Sequence, residues 1–196
     1  MANRSIEFFD HQFQRQVREG QFALNPFEEL ALPYLHGRVL DLGCGLGNLS
    51  LAAARQGCSV VALDGSDSAI DRIRQAAKAE ALAIEAVQAD LGGYRITQEF
   101  DAIVAIGLLM FFEQSVARAM LEDIRSHVRP GGHAIVNCLV VGTTYLDMFE
   151  PGRHHLFAAD ELRAAFSGWT VLADQQSTFE APGNTRKVFS TLVARR

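Results

Sequence analysis

Three glycines at alternate positions, Gly43, Gly45 and Gly47, follow the apolar run Val39-Leu40-Asp41-Leu42 and precede Asn48. Glycine admits backbone conformations and close approaches that a Cβ forbids. A loop of this kind, placed between a strand and a helix, offers unpaired N–H groups to a ligand at the carboxyl end of the strand. A dinucleotide fingerprint leaves two residues between its second and third glycines; here Leu46 alone separates Gly45 from Gly47. Asp64 closes a second apolar run and is followed by Gly65 and Ser66. A carboxylate there can accept both hydroxyls of a ribose, or simply favour the start of a helix. Asp90-Leu91 ends a third run, where an acid can accept from the amine of a base or cap a helix. Ile106-Gly107 ends a fourth and presents its backbone to the same crevice. Cys44, inside the glycine loop, matters there for its small size. Asp41, Gly43, Cys44, Gly45, Gly47, Asp64, Gly65, Ser66, Asp90, Leu91, Ile106 and Gly107 are therefore the candidate ligand-binding set.

The elements that must hold these residues alternate regularly. Residues 38–42, 58–63, 83–89, 100–106 and 133–141 read as strands. Residues 48–56, 67–80 and 114–128 read as helices, with Asn48 and Ser66 as N-caps and Ile70, Ile73 and Ala77 at helical spacing. Arg129-Pro130-Gly131-Gly132 reads as the turn that stops the third helix. Strand and helix in alternation mean right-handed βαβ units and a parallel sheet covered on both faces. After residues 142–158 comes a helix at 159–166. Two β-rich runs, 169–179 and 187–194, then flank Ala181-Pro182-Gly183-Asn184, which is hairpin chemistry. Residues 1–35 read as a helical cover carrying Phe8, Phe9, Phe13, Val17 and Phe22, and residues 36–196 as the main domain. His11 with Phe9 and Phe13 either forms a lid or only packs. His36, His127 and His133 flank core elements.

Composition removes several classes. The 196 residues suit one domain, and a net charge of −5 gives no basic surface for nucleic acid or an anionic membrane. The longest apolar run, 102–112, is about half of a bilayer span. Residues 1–7 hold no apolar signal core. Three scattered cysteines, Cys44, Cys58 and Cys138, predict neither a disulfide framework nor a metal site, and a cytoplasmic setting is expected.

The run Asp41-Leu42-Gly43-Cys44-Gly45-Leu46-Gly47, with Asp64, Asp90 and the terminal hairpin, resembles the class I S-adenosylmethionine-dependent methyltransferases. The resemblance implies a Rossmann-like α/β fold with a seven-stranded, mostly parallel sheet, an antiparallel C-terminal hairpin and helices on both faces. It implies S-adenosyl-L-methionine as cofactor and S-adenosyl-L-homocysteine as product. By that analogy the glycine loop faces the methionine part, Asp41 binds its amino group, Asp64 the ribose, and Asp90 with Leu91 the adenine.

Within the class, Leu109-Met110-Phe111-Phe112, Pro130-Gly131-Gly132 and Phe157-Ala158-Ala159-Asp160-Glu161-Leu162 are similar to the tellurite-resistance (TehB-type) methyltransferases. That family carries a longer segment before its last strand, with a histidine and arginines serving an oxyanion. Here the segment is residues 180–187, without histidine, and Arg186 is the counterpart. Arg186, His154 and His155 are the candidate acceptor-side residues, with Arg153 and Tyr145 nearby; a solvated loop is the competing reading. The expected reaction is methyl transfer to a small molecule, a tellurium or selenium oxyanion or a thiol, by a monomer or homodimer. O- or N-methyl transfer, a non-catalytic cofactor-binding protein and a nicotinamide-dependent oxidoreductase stand as alternatives.

Overall fold

The computed structural model describes residues 4–196, with side chains described from Phe8 onward; residues 1–3 of the expected cover lie outside the described residues. Seven strands form one sheet in the order β3-β2-β1-β4-β5-β7-β6. They are β1 (Arg38–Leu42), β2 (Ser59–Asp64), β3 (Ile84–Gln88), β4 (Phe100–Ile106), β5 (Val128–Leu139), β6 (Thr170–Ala181) and β7 (Thr185–Arg195). The first five pair in parallel, and β7 runs antiparallel to both β5 and β6. The Rossmann-like architecture expected above is the one observed.

Period-two alternation divides the central strands between two apolar layers. Val39, Val60, Ala62, Ala102 and Val104 pack beneath α3 (Asn48–Arg55) and α4 (Asp67–Glu80). Leu40, Leu42, Ile103 and Ala105 pack beneath α5 (Gln114–His127) and α6 (Glu161–Ala165). Both faces are thus covered, and full burial of each large aliphatic side chain contributes about 1.5–3 kcal/mol. Asp41 falls on the α3 face, which decides its surroundings. Before the sheet lie α1 (Arg4–Glu19), α2 (Pro26–Ala31) and a short 3-10 turn at Leu32–Tyr34. Asn25 and Glu28 form a reciprocal capping box at the start of α2, with Pro26 at its first position.

Three local expectations are corrected. The turn expected at 129–132 is instead the start of β5, where the register slips between Phe100↔Val128 and Ala102↔His133. A bulge of this kind accommodates Pro130 and two glycines without ending the ladder. The hairpin is longer than its apolar runs suggest, because exposed polar residues continue its backbone pairing as far as Ala181↔Thr185. The cap of α3 is Gly47, with Asn48 already the first helical residue. Among the described residues, no helix is long and apolar enough to cross a membrane.

Gly47 sits at φ +73°, and a Cβ there would stand 2.4 Å from Cγ1 of Ile73, itself fully buried. Ile73 cannot retreat without opening the α3–α4 interface. Gly47→Ala is expected to lose about 2–3 kcal/mol of stability, left-handed strain plus overpacking, in urea unfolding. A loss below 0.5 kcal/mol would show that the loop relaxes freely.

Candidate functional site

The carboxyl ends of β1, β2, β3 and β4 open into a cleft of about 1320 Å³. Eleven of the twelve candidate ligand-binding residues line it: Asp41, Gly43, Cys44, Gly45, Asp64, Gly65, Ser66, Asp90, Leu91, Ile106 and Gly107. Gly47 does not; it faces Ile73 and sets the packing of α3 on α4.

The glycine loop is pinned to β2. Gly43 and Cys44 both donate N–H to the Leu63 carbonyl, at 2.8 and 3.0 Å. The Asp64 carboxylate then accepts from Gly45 N (2.9 Å) through one oxygen and from Ser66 N (2.8 Å) through the other. The Gly65 amide adds to these bonds. Burial pushes the Asp64 carboxyl up from its ordinary value, and these amides oppose the shift. Ser66 caps α4 by accepting from Ala69 N, and its hydroxyl donates to Asp10 of α1. Asp90 accepts from Gly92 N (3.1 Å).

Asp41 is 5% exposed and accepts from the Ser50 hydroxyl of α3 at 2.6 Å. Burial raises its carboxyl to about 7 against that hydrogen bond, with Glu28 and Asp64 adding like charge. Glu28, unremarked in the sequence, lines the cleft from α2 and is likewise pushed up by burial. Its capping-box spacing from Asn25 was visible, but the direction of its side chain was not. Asn48 Oδ1 and Asn137 Oδ1 are buried without a hydrogen-bond partner, and both residues line the cleft. Burial pushes the Cys44 thiol well up, so it carries no thiolate.

The acceptor-side candidates fare differently. His154 is stacked on Phe149 (centroids 4.6 Å apart), and His155 packs on Phe157 with Nε2 3.4 Å from Glu161; neither lines the cleft. Arg186 points away: its Nε donates to the Gly142 carbonyl (3.0 Å), clipping the loop after β5. Strand alternation instead turns Lys187 and Phe189 into the cleft. Of the two neighbours, Lys187 lines the cleft and Arg186 does not. Arg153 does line the cleft, beside Glu113 and Glu150 at 3.6 and 3.8 Å. His11 is exposed, whereas Phe8, Phe9 and Phe13 of α1 line the cleft. Tyr145 lies under Lys187, whose Nζ is 4.8 Å from its ring centroid.

The glycine-loop end is thus acidic, lined by Asp10, Glu28, Asp41 and Asp64, and the far end is aromatic. This fits a ligand carrying an ammonium and a sulfonium. It disfavours a dinucleotide, whose pyrophosphate would meet those carboxylates, while the one arginine against the loop, Arg72, is engaged with the Leu46 carbonyl.

Residues 39–132 match the family model described as methyltransferase domain. The chain is 26% identical over 166 residues to the probable S-adenosyl-L-methionine-dependent methyltransferase TehB of Haemophilus influenzae, covering 81% of this chain and 57% of that one. It is 39% identical over 108 residues to the cypemycin N-terminal methyltransferase of a Streptomyces species, covering 53% and 43%. The crystal structure of TehB from Haemophilus influenzae superposes with a TM-score of 0.78 at 22% identity, over 92% of this chain and 65% of that one. The chain spans roughly half the length of the relatives it matches. The matched domain and the shared fold make the chain similar to the class I S-adenosylmethionine-dependent methyltransferases. Within that class the similarity extends to the TehB type.

The raised Asp41 value has a sign that can be checked. An acid whose folded value lies above its ordinary 3.8 holds an extra proton in the folded state. Its stabilisation is present near pH 4 and is lost as pH rises through about 7. The melting temperature of the ligand-free protein is expected to fall over that window, and Asp41→Asn to flatten the slope. An unchanged slope in the variant would refute the assignment.

Proposed function

We propose that this protein transfers the methyl group of S-adenosylmethionine to a small-molecule acceptor bound at the aromatic end of the cleft. The observation that carries this reading is the Asp64 bridge: a carboxylate at the end of β2 that lines the cleft and is fixed by Gly45 N and Ser66 N. Asp64 would hold the ribose hydroxyls. Asp41, with Glu28 and Asn48 Oδ1, would hold the ammonium of the methionine part. Leu91 and Ile106 would flank the adenine, with Asp90 beside its amine. When bound, S-adenosylmethionine supplies an electrophilic methyl on a positively charged sulfur.

The chain's own contribution is alignment and exclusion of water. Phe8, Phe9 and Phe13 of α1 close one side of the cleft, Phe13 lying over Gly45, where a Cβ would stand 3.1 Å from its ring. The described part of residues 1–35 would act as a lid on the domain at 36–196. No histidine lines the cleft among the described residues. Imidazole base catalysis therefore has no candidate, and the acceptor is one that arrives as an anion or gives up its proton readily. A volume of about 1320 Å³ exceeds the roughly 300–1,000 Å³ of one drug-sized site, leaving room for cofactor and a small acceptor together. A chalcogen oxyanion, a thiol and an O- or N-nucleophile are the acceptor classes to compare.

Titration calorimetry tests the reading. S-adenosylmethionine and S-adenosylhomocysteine are expected to give heat, and NAD none. Asp64→Ala is expected to weaken S-adenosylhomocysteine roughly 100-fold, the loss of charge-assisted hydrogen bonds to two hydroxyls. Absence of heat with both sulfur ligands would overturn the proposal. Binding at its end where Asp41 lies is also expected to release protons near pH 6, because an ammonium draws the buried carboxyl into its ionised form. Buffers of different ionisation enthalpy measure that release.

A further inference from the structure

Resting on the methyltransferase reading, we propose that the acceptor is an aromatic ring bearing a thiolate or phenolate, which Lys187 holds at its anionic atom. Two aromatic walls frame the far end of the cleft. On one side Phe9 meets Phe111 edge-on, with centroids 5.2 Å apart. On the other Phe27 packs on Phe189 at 4.8 Å. All four rings line the cleft. A planar aromatic group gains from such walls by stacking and burial. A small hydrated oxyanion would lose its water against them without compensation.

Two cations line the cleft, and they differ. Arg153 is 65% exposed and stands near the carboxylates of Glu113 and Glu150, which offset its charge. Lys187 has no carboxylate within ion-pair distance among the described residues. Its Nζ rests over the Tyr145 ring, and it lies two residues from Phe189 on the same face of β7. A half-buried ammonium with only a ring for company is a site for one negative charge. Burial lowers its proton affinity, and an anionic atom beside the ammonium opposes that shift.

The group transfer balances. The acceptor sulfur or oxygen donates its lone pair to carbon, and the carbon–sulfur bond of the cofactor breaks with its electron pair staying on sulfur. The acceptor loses its negative charge, the sulfonium loses its positive charge, and Lys187 keeps its proton. The neutral product no longer pairs with Lys187, which favours its release.

The test uses the full chain loaded with S-adenosylhomocysteine for binding, and with S-adenosylmethionine for turnover. The probes are 4-nitrophenol, thiophenol, 2-mercaptoethanol and tellurite. The expected results are binding of 4-nitrophenol as its yellow phenolate at a pH where the free compound is largely protonated, and methylation of thiophenol at least tenfold more efficiently than of 2-mercaptoethanol or tellurite. Lys187→Met is expected to abolish the phenolate signature and raise the KM for thiophenol about tenfold, with kcat less affected and S-adenosylhomocysteine affinity unchanged. Arg186→Met, on the opposite face of β7, is expected to change neither. Preference for tellurite or 2-mercaptoethanol, or an unaltered phenolate signature in Lys187→Met, would overturn the inference. Normal S-adenosylhomocysteine binding with no binding of the aromatic probes would also overturn it. Loss of S-adenosylhomocysteine binding in the parent protein would instead sink the methyltransferase reading.

Discussion

Asp64 ties two chain segments that the sheet alone would leave independent. The loop after β1 and the turn after β2 both give backbone N–H groups to its carboxylate. A buried charge is costly unless hydrogen bonds compensate it, so both segments are held where those bonds require. From that bridge the rest of the site extends. Ser66 starts α4 and receives Asp10 of α1, while the glycine loop carries Phe13 on its outer surface. The floor of the cleft and its cover thus share one anchor. Parallel pairing of β1 with β2, from Arg38↔Ser59 to Leu42↔Leu63, makes the bridge possible by bringing both carboxyl ends level.

How much of this was legible in the sequence depended on whether a residue is governed by local or by tertiary physics. The glycine loop was legible because only glycine tolerates its backbone: Gly43, Gly45 and Gly47 all have positive φ. Strand ends were legible because apolar runs stop there, so Asp41, Asp64, Asp90 and Ile106 fell at the cleft. Gly47 was assigned to ligand contact because a shared motif does not say which glycine serves packing. Arg186 and Lys187 show the opposite limit. Adjacent residues on a strand point to opposite faces, and the sequence around the Pro182–Asn184 turn does not set the register. His154 and His155 were acceptor-side candidates by type, yet neither lines the cleft. Their rings are spent on Phe149 and Phe157. Glu28 was overlooked because its local role, capping α2, gave no hint of a second outlook onto the cleft.

The cleft is polarised along its length. Carboxylates cluster where β1 and β2 end, and rings cluster where β4, β7 and the N-terminal helices meet. Clustered carboxylates repel, and burial already holds Glu28, Asp41 and Asp64 above their ordinary values. A cationic ligand relieves that repulsion, so the free protein stores part of the driving force for binding. At the ring-lined end Glu113 and Glu150 are offset by Arg153, and Lys187 stands without an ion-pair partner among the described residues. A single cleft therefore combines electrostatic selection with steric selection at separate ends.

The hairpin that carries Lys187 and Phe189 differs from every other strand connection in the sheet. Beyond Leu139↔Phe189 its ladder runs on without β5, and β6 pairs with β7 alone to Ala181↔Thr185. No crossover helix constrains that overhang. Residues can be added or lost at the tip without altering a parallel pairing or the acidic end of the cleft. The two halves of the site are consequently free to diverge at different rates over evolution. The acidic half is bound to the sheet by Asp64, while the ring-lined half can be rewritten by lengthening or trimming one arm.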